Sequence, residues 1–477
     1  MSPFSFIAAQ NYQAIHGSSY AGSLAVGNNP ASIIHVPYAW DITPIAVQLK
    51  QSTNAFRIKK YSFLSSPANV EIESTTGTFS RFQFSNEDAR ILNARFTLNS
   101  KLAIAFGANI RNYQYANTSI SNWQDTIFNM ADYMKVNQDH LPLSAEMRAS
   151  SWGELYGTVA LTILEKDDWV VNGGLTLKLI RTLAGGYARA DDLRYINVPG
   201  QGRDAYRLTT GNLQYGYSRN FDAIDSRKSS SQNRRDFIRE GAYGVGGDLG
   251  LEFIRLAAED ANEENPFAYE TKVGIAVLDL GSTTYQYGSR SRLAVAGRPG
   301  ITDTVIENKM VDVTSFDRFN DSLAGLAESS TPLSGQFSVY MPARLVVNVD
   351  QHITGNFFLN AEVTVQLSAF VNKNVLALKD MNLAALTPRW ELRSLAAYIP
   401  IVYNTRKQVW VGGAFRVGPL LLGTHNLANV FAKNTNQTGG AYLALTLRPG
   451  KLYDRGAHYP GDKLSRKARR RLNCPEF

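Results

Sequence analysis

The stretch Phe357–Ser368, FFLNAEVTVQLS, constrains the fold more than any other part of the chain. Phe357, Leu359, Ala361, Val363, Val365 and Leu367 occupy one parity, and Phe358, Asn360, Glu362, Thr364, Gln366 and Ser368 the other. Side chains of a strand alternate between its faces, so this segment has an apolar face and a mostly polar face carrying a carboxylate. The run is longer and more regular than the half-buried strand of a soluble sandwich requires. It has the length of a strand that crosses a bilayer at a tilt, lipid on one face and water or polar groups on the other.

The alternation recurs. Ile91–Asn99 sets Leu92, Ala94, Phe96 and Leu98 against Asn93, Arg95, Thr97 and Asn99, and Ser100-Lys101 turns the chain into Leu102–Arg111. Two amphipathic strands around a two-residue turn read as a hairpin. Gly153–Lys166, Trp169–Leu179, Gly241–Arg255, Val273–Tyr287, Met341–Gln351, Pro388–Tyr403, Lys407–Leu422 and Gly440–Arg448 repeat the pattern. Ala39–Lys50 reads as the first strand, and Gly185–Val198 and Asn212–Asp222 as weaker, Tyr-rich ones. Gln51–Asn86 reads as a polar loop, Asp225–Arg239 as a charged, Ser-rich loop, and Asn122–Val136 and Ser315–Leu326 as short helices. Short turns alternate with longer loops, the asymmetry of outer-membrane barrels, and only a closed barrel leaves no strand edge in lipid. The chain is therefore expected to be all-β: a closed antiparallel transmembrane β-barrel of about fourteen strands over 38–448.

Composition narrows the alternatives. With 477 residues, 44% hydrophobic and 19% charged, there is ample material for a folded core. No stretch approaches the roughly twenty consecutive apolar residues of a membrane-crossing helix, which leaves strands as the means of crossing. The net charge of +8 owes much to Lys463–Arg471, so 449–477 reads as a basic periplasmic tail and the body as nearly balanced. That distribution points to an acidic partner or anionic lipid, not to nucleic acid. Cys474 is the only cysteine, which excludes an internal disulfide and a multi-cysteine metal site. Met1–Gln10 is apolar and ends in small residues, so 1–37 reads as a signal remnant followed by an N-terminal segment.

The inward parity is where function would sit. Arg95, Arg111, Lys178, Asp248, Glu252, Arg344, Asp350, Glu362, Arg389, Glu391, Arg393, Arg416 and Arg448 all fall on it. A lumen of this width holds water, a plug or a ligand, and a lining of both signs either borders an aqueous path or locks the interior with ion pairs. Catalytic signals are poor. The six histidines are scattered, no G-x-S-x-G elbow occurs, and no spacing suits a metal, so the reading is non-enzymatic with no metal and no cofactor.

Tyr20-Ala21-Gly22 and Asn28–Ser32, with the segments YGVGGDLGLEF, VGIAVLDLGSTTY, SVYMPARLVVNVDQHI, LTPRWELRSLAAYIP and WVGGAFRVGPLLLG, resemble an uncharacterised outer-membrane β-barrel family of Bacteroidota. The Asn29-Pro30-Ala31 motif is also similar to the N-terminal region of the long-chain fatty-acid transporters and of the type 9 secretion shuttle protein. That resemblance implies a fourteen-stranded barrel with the N-terminal segment folded inward as a hatch. The charged inward parity departs from a channel for hydrophobic ligands. The expectation is an outer-membrane protein serving as a scaffold or accessory subunit of an envelope complex, the alternative being a transporter or pore for a small solute or hydrophobic ligand. Its expected partners are outer-membrane lipid and outer-membrane or periplasmic proteins met through the loops or the tail.

Overall fold

The computed structural model describes residues 12–450 except 66–69, 167, 199–204, 258–267, 371–374 and 434–436. Met1–Gln10 and all of the basic tail beyond residue 450 thus fall outside the described residues. Fourteen antiparallel strands close into a barrel. They are β1 (Trp40–Thr53), β2 (Gly77–Asn99), β3 (Leu102–Trp123), β4 (Leu143–Lys166), β5 (Trp169–Val198), β6 (Tyr243–Leu256) and β7 (Tyr269–Gln286). They continue with β8 (Arg344–Thr354), β9 (Phe357–Gln366), β10 (Leu383–Glu391), β11 (Leu395–Tyr398 and Ile401–Asn404), β12 (Val409–Val411 and Gly413–Val417), β13 (Leu420–Thr424) and β14 (Ala441–Leu447). Each pairs with the next, and β14 returns to β1 through Ile45↔Leu445 and Val47↔Leu443, so no edge is left open.

The parity expected for β9 is the one observed. Val363 is 50% exposed on the outer face whereas Glu362 is 3% exposed inside. Leu155, Val159, Leu161 and Ile163 on β4, Leu175, Leu177 and Leu179 on β5, and Leu249 and Leu251 on β6 stand on the same outer face. A belt of aliphatic side chains around a closed barrel is a lipid-facing surface, and the chain is a bacterial outer-membrane protein. No helix among the described residues is long and apolar enough to cross a membrane. Turns such as Ser100-Lys101 and Gly355-Asn356 lie at one end, and the long loops at the other, which is the outer one.

The wall is uneven in height. β4 has 24 residues and β5 has 30, against 9 in β10 and 5 in β13. A tilted crossing needs only about 9–11 residues, so β2–β5 rise well beyond the bilayer. There Ala205–Tyr217, Arg292–Val295 and Ser329–Pro332 extend the sheet from β5. The helices α1 (Met130–Val136), α3 (Asp303–Met310) and α4 (Phe316–Leu326) pack on this raised sheet through Tyr195, Tyr206, Tyr215, Ile306 and Leu323.

Several local expectations change. β2 begins at Gly77, inside the expected loop Gln51–Asn86. A bulge explains why: Leu92 has φ +55, the register slips between Ile91 and Ala94, and the inward set switches from Asn86, Asp88 and Arg90 to Asn93 and Arg95. The alternation is broken where the strand seemed to start. Asn122–Val136 is helical only over Met130–Val136, with Asn129 as its cap, because β3 continues to Trp123. Asp225–Arg239 contains α2 (Ser230–Arg239), set by a Ser229/Gln232 capping box. The helix expected over Ser315–Leu326 forms as α4, Phe316–Leu326, with Ser315 as its cap. Pro388–Tyr403 and Lys407–Leu422 each contain a turn, at Leu392–Ser394 and Gly418-Pro419, and supply two strands apiece.

Candidate functional site

The candidate site is the lumen, and it is filled from both ends. From the side of the short turns, residues 12–38 enter as three 3-10 turns, Gln13–Ile15, Gly22–Gly27 and Pro30–Ile33. Gly, Ser and Ala keep this segment thin, and it meets small wall residues: Ala46, Ala396, Ala414 and Ala444 against Ile15, Ala21 and Leu24, and Ala103, Ala105 and Ala160 against Val26, Ile33 and Ile34. From the outer side, Leu376, Leu378 and Met381 fold down onto Tyr113, Trp152, Phe84 and Trp410. Arg148 holds this upper insertion by the Val375 and Ala377 carbonyls, at 3.2 and 2.9 Å.

The Asn29-Pro30-Ala31 motif has a built seat. Asn29 caps the Pro30–Ile33 turn, its Oδ1 accepting from the Ala31 amide at 2.9 Å. Its Nδ2 donates to the Leu251 carbonyl of β6 at 2.9 Å. The wall opposite carries Gly174 on β5 and Gly250 on β6, which are register partners. A Cβ on Gly174 would collide with the Pro30 backbone, and one on Gly250 with the Asn29 side chain. The motif fits because those two positions have no side chain.

Charged residues then form three groups. Near the short turns, Arg389 on β10 grips Asp350 on β8 at 2.5 and 2.6 Å and Glu391 at 2.9 Å. This group reaches the inserted segment: His16 Nδ1 lies 2.5 Å from Glu362, Ser18 donates to Glu391 at 2.5 Å, and Arg448 donates to the Tyr20 carbonyl at 2.6 Å. Across the lumen, Arg95 pairs with Asp41 at 2.6 Å, and Asp41 also accepts from the Ser23 amide at 2.6 Å. Above the inserted segment, Asp279 accepts from Arg111 (2.5 and 2.9 Å), Lys178 (2.8 Å) and Arg344 (2.6 Å). Lys178 also binds Asp248 at 2.7 Å, Arg111 lies 3.3 Å from Glu154, and Arg344 turns down to the Gly27 carbonyl at 3.2 Å. All these ion-pairing residues are buried. The cavity between segment and wall beside His16, Glu252 and Lys272 amounts to about 10 Å³, room for one water.

Of the residues singled out from sequence, Arg95, Arg111, Asp248, Glu252, Arg344, Asp350, Glu362, Arg389, Glu391 and Arg416 are buried on the inward side. Arg416 sits over the Tyr20 ring and donates to the Leu392 and Arg393 carbonyls. Arg393 is a correction: it is exposed in the Leu392–Ser394 turn, because β10 ends at Glu391, and it reaches the Gly450 carbonyl instead of the lumen. Sequence reasoning missed Asp41, Glu154, His16 and above all Asp279. By strict alternation Asp279 shares the lipid-facing parity of Ile275 and Val277. A bulge between Val277 and Leu280, with Asp279 at φ +58, turns both Leu278 and Asp279 inward. The trace in sequence is an Asp followed by Leu-Gly directly after the apolar run Val273–Leu278.

A closed barrel with an aliphatic belt and a plugged, ion-paired lumen defines the class as an outer-membrane β-barrel protein. Within it, the chain belongs to a family of unknown function, DUF5723, which matches residues 46–425. No curated protein matches the sequence significantly. Among solved structures the chain is similar to a Pseudomonas aeruginosa FadL homologue, at 11% identity and a TM-score of 0.42, over 94% of this chain and 99% of that one. It is also similar to the Pseudomonas putida toluene transporter TodX, at 10% identity and a TM-score of 0.37, over 92% and 94% of the two chains.

Proposed function

We propose that the chain is a gated passage for a small polar solute across the outer membrane, with residues 12–38 as the gate. What supports this reading is the character of the buried joint between segment and wall. Tyr12 Oη, both polar atoms of Gln13 and His16 Nε2 on the segment, with Asn360 Nδ2 beside Gly17 and Arg90 Nε beside Leu24 on the wall, are buried without a hydrogen-bond partner among the described residues. Permanent interfaces rarely retain such groups, since each costs about 1–3 kcal/mol. A surface that is at times hydrated carries them without that penalty. The polar lining argues for a polar solute over a hydrophobic one.

The test is a reversible lock. Ser23 Oγ and Thr43 Oγ1 lie 2.9 Å apart across the joint, so Ser23→Cys with Thr43→Cys, in a Cys474→Ser background, can be bridged by oxidation. Proteoliposome swelling in small sugars and amino acids is expected to be low when oxidised and to rise on reduction. Equal swelling in both states refutes the gate. Absence of swelling in both, with partners co-purifying stoichiometrically, returns the chain to the scaffold reading.

A further inference from the structure

The outer face carries a cleft that neither the lumen nor its inserted segments use. It has a volume of about 640 Å³ and lies between the Arg219–Ala223 turn, the end of β7 and the loop leading into the strand Gln336–Tyr340. That volume falls within the range of small-molecule sites, roughly 300–1,000 Å³.

The position of its polar groups is built by the fold. Gln286 and Gln336 are register partners, so their amides stand side by side on one face of the sheet. Arg219 Nη1 donates to Gln286 Oε1 at 3.1 Å, which orients both groups. Asp222 is fixed at the opposite margin, accepting from Tyr217 Oη at 2.6 Å and the Ser289 amide at 2.7 Å. Tyr287 also lines the cleft, but its ring is on the opposite face of the strand from Gln286, packed on Phe337 with ring centroids 4.8 Å apart. Gly335 has φ +84 and nothing within 4 Å of where a Cβ would stand, so the loop tip opens onto free space.

The charge pattern selects the ligand class. Arg219 and Asp222 are the only ionisable side chains of opposite sign among the lining residues, and they cancel formally. Each also has a partner at the rim, Arg219 with Glu240 at 3.9 Å and Asp222 with Arg290 at 3.6 Å. No uncompensated charge faces the cleft, so neither an anion nor a cation has a preferred counter-charge there. What remains is a set of planar amides that both donate and accept, and hydroxyls from Ser289 and Ser334. Uncharged groups that both donate and accept recognise a ligand that carries many hydroxyls and no charge. We propose that this cleft binds a neutral oligosaccharide at the cell surface.

Isothermal titration of the full chain in detergent tests this, with maltohexaose, cellohexaose and xylohexaose as neutral probes and a hexagalacturonate and a chitosan hexamer as charged ones. Binding of at least one neutral probe at millimolar affinity or tighter is expected. It should weaken about tenfold in the double variant Gln286→Ala with Gln336→Ala, and be lost in Ser334→Trp, which fills the cleft. Unchanged heat-modifiable mobility on gels confirms that each variant retains a folded barrel. Binding of the charged probes alone, equal binding by the variants, or failure of every neutral probe overturns the proposal.

Discussion

With Arg111, Lys178 and Arg344 all directed at its two oxygens, Asp279 neutralises cations contributed by three different strands. Replacing it with Asn keeps the shape but leaves buried positive charge uncompensated, a change that typically costs about 3–5 kcal/mol. Asp279→Asn is therefore expected to lower the temperature at which the barrel loses its compact mobility on gels, and to shift its urea midpoint downward in detergent. Arg393→Ala, at an exposed turn, is expected to leave both within about 0.5 kcal/mol of the parent. These two residues also mark what a sequence reveals at this scale. Strict parity located Glu362, Asp350 and Arg389, because β8, β9 and β10 are regular where those residues lie. It failed at Asp279 and Arg393, where a bulge and a turn shift the chain by a residue, and neither event leaves a strong signature in composition.

At the level of elements, the thin N-terminal segment depends on missing side chains in the wall. Gly250→Val is expected to push Asn29 and Pro30 from their seat while the strands around it stay paired. The measurement is maleimide labelling of Ser23→Cys in a Cys474→Ser background: faster labelling with an unchanged folded mobility is the expected result, and unaltered labelling would show that the seat does not hold the segment. Long amphipathic strands were readable because lipid imposes a period of two on them. The upper part of β2 and the breaks within β11 and β12 were not, since above the bilayer, or beside Pro400 and Gly412, that constraint lapses. The upper insertion around Leu378 could not be anticipated, because its apolar residues resemble those of any loop covering a core.

For the molecule as a whole, the outer belt and the lumen make opposite demands on neighbouring positions. Val363→Arg places a charge against lipid and is expected to cost about 2 kcal/mol of folding stability in vesicles, with reduced insertion yield, the cost varying with depth. Thr364→Val, on the inward side of the same strand, removes a hydroxyl that donates to Glu362 at 2.9 Å and is expected to leave insertion unaffected. A reversal of that order would place lipid on the other face and undo every lumen assignment.

Barrel closure has a consequence for assembly. The seam joins the first strand to be made, β1, with the last, β14, and the inserted segment is tethered directly to β1. Ser23 contacts Thr43, Thr43 contacts Thr446 at 2.9 Å, and Arg448 ends on Tyr20. The latest-arriving strand therefore docks against a surface made jointly by the first strand and the segment in front of it. A chain that closed without the segment in place would leave Arg448 without the Tyr20 carbonyl and Thr43 without Ser23, so the seam and the inserted segment complete one another's hydrogen bonds.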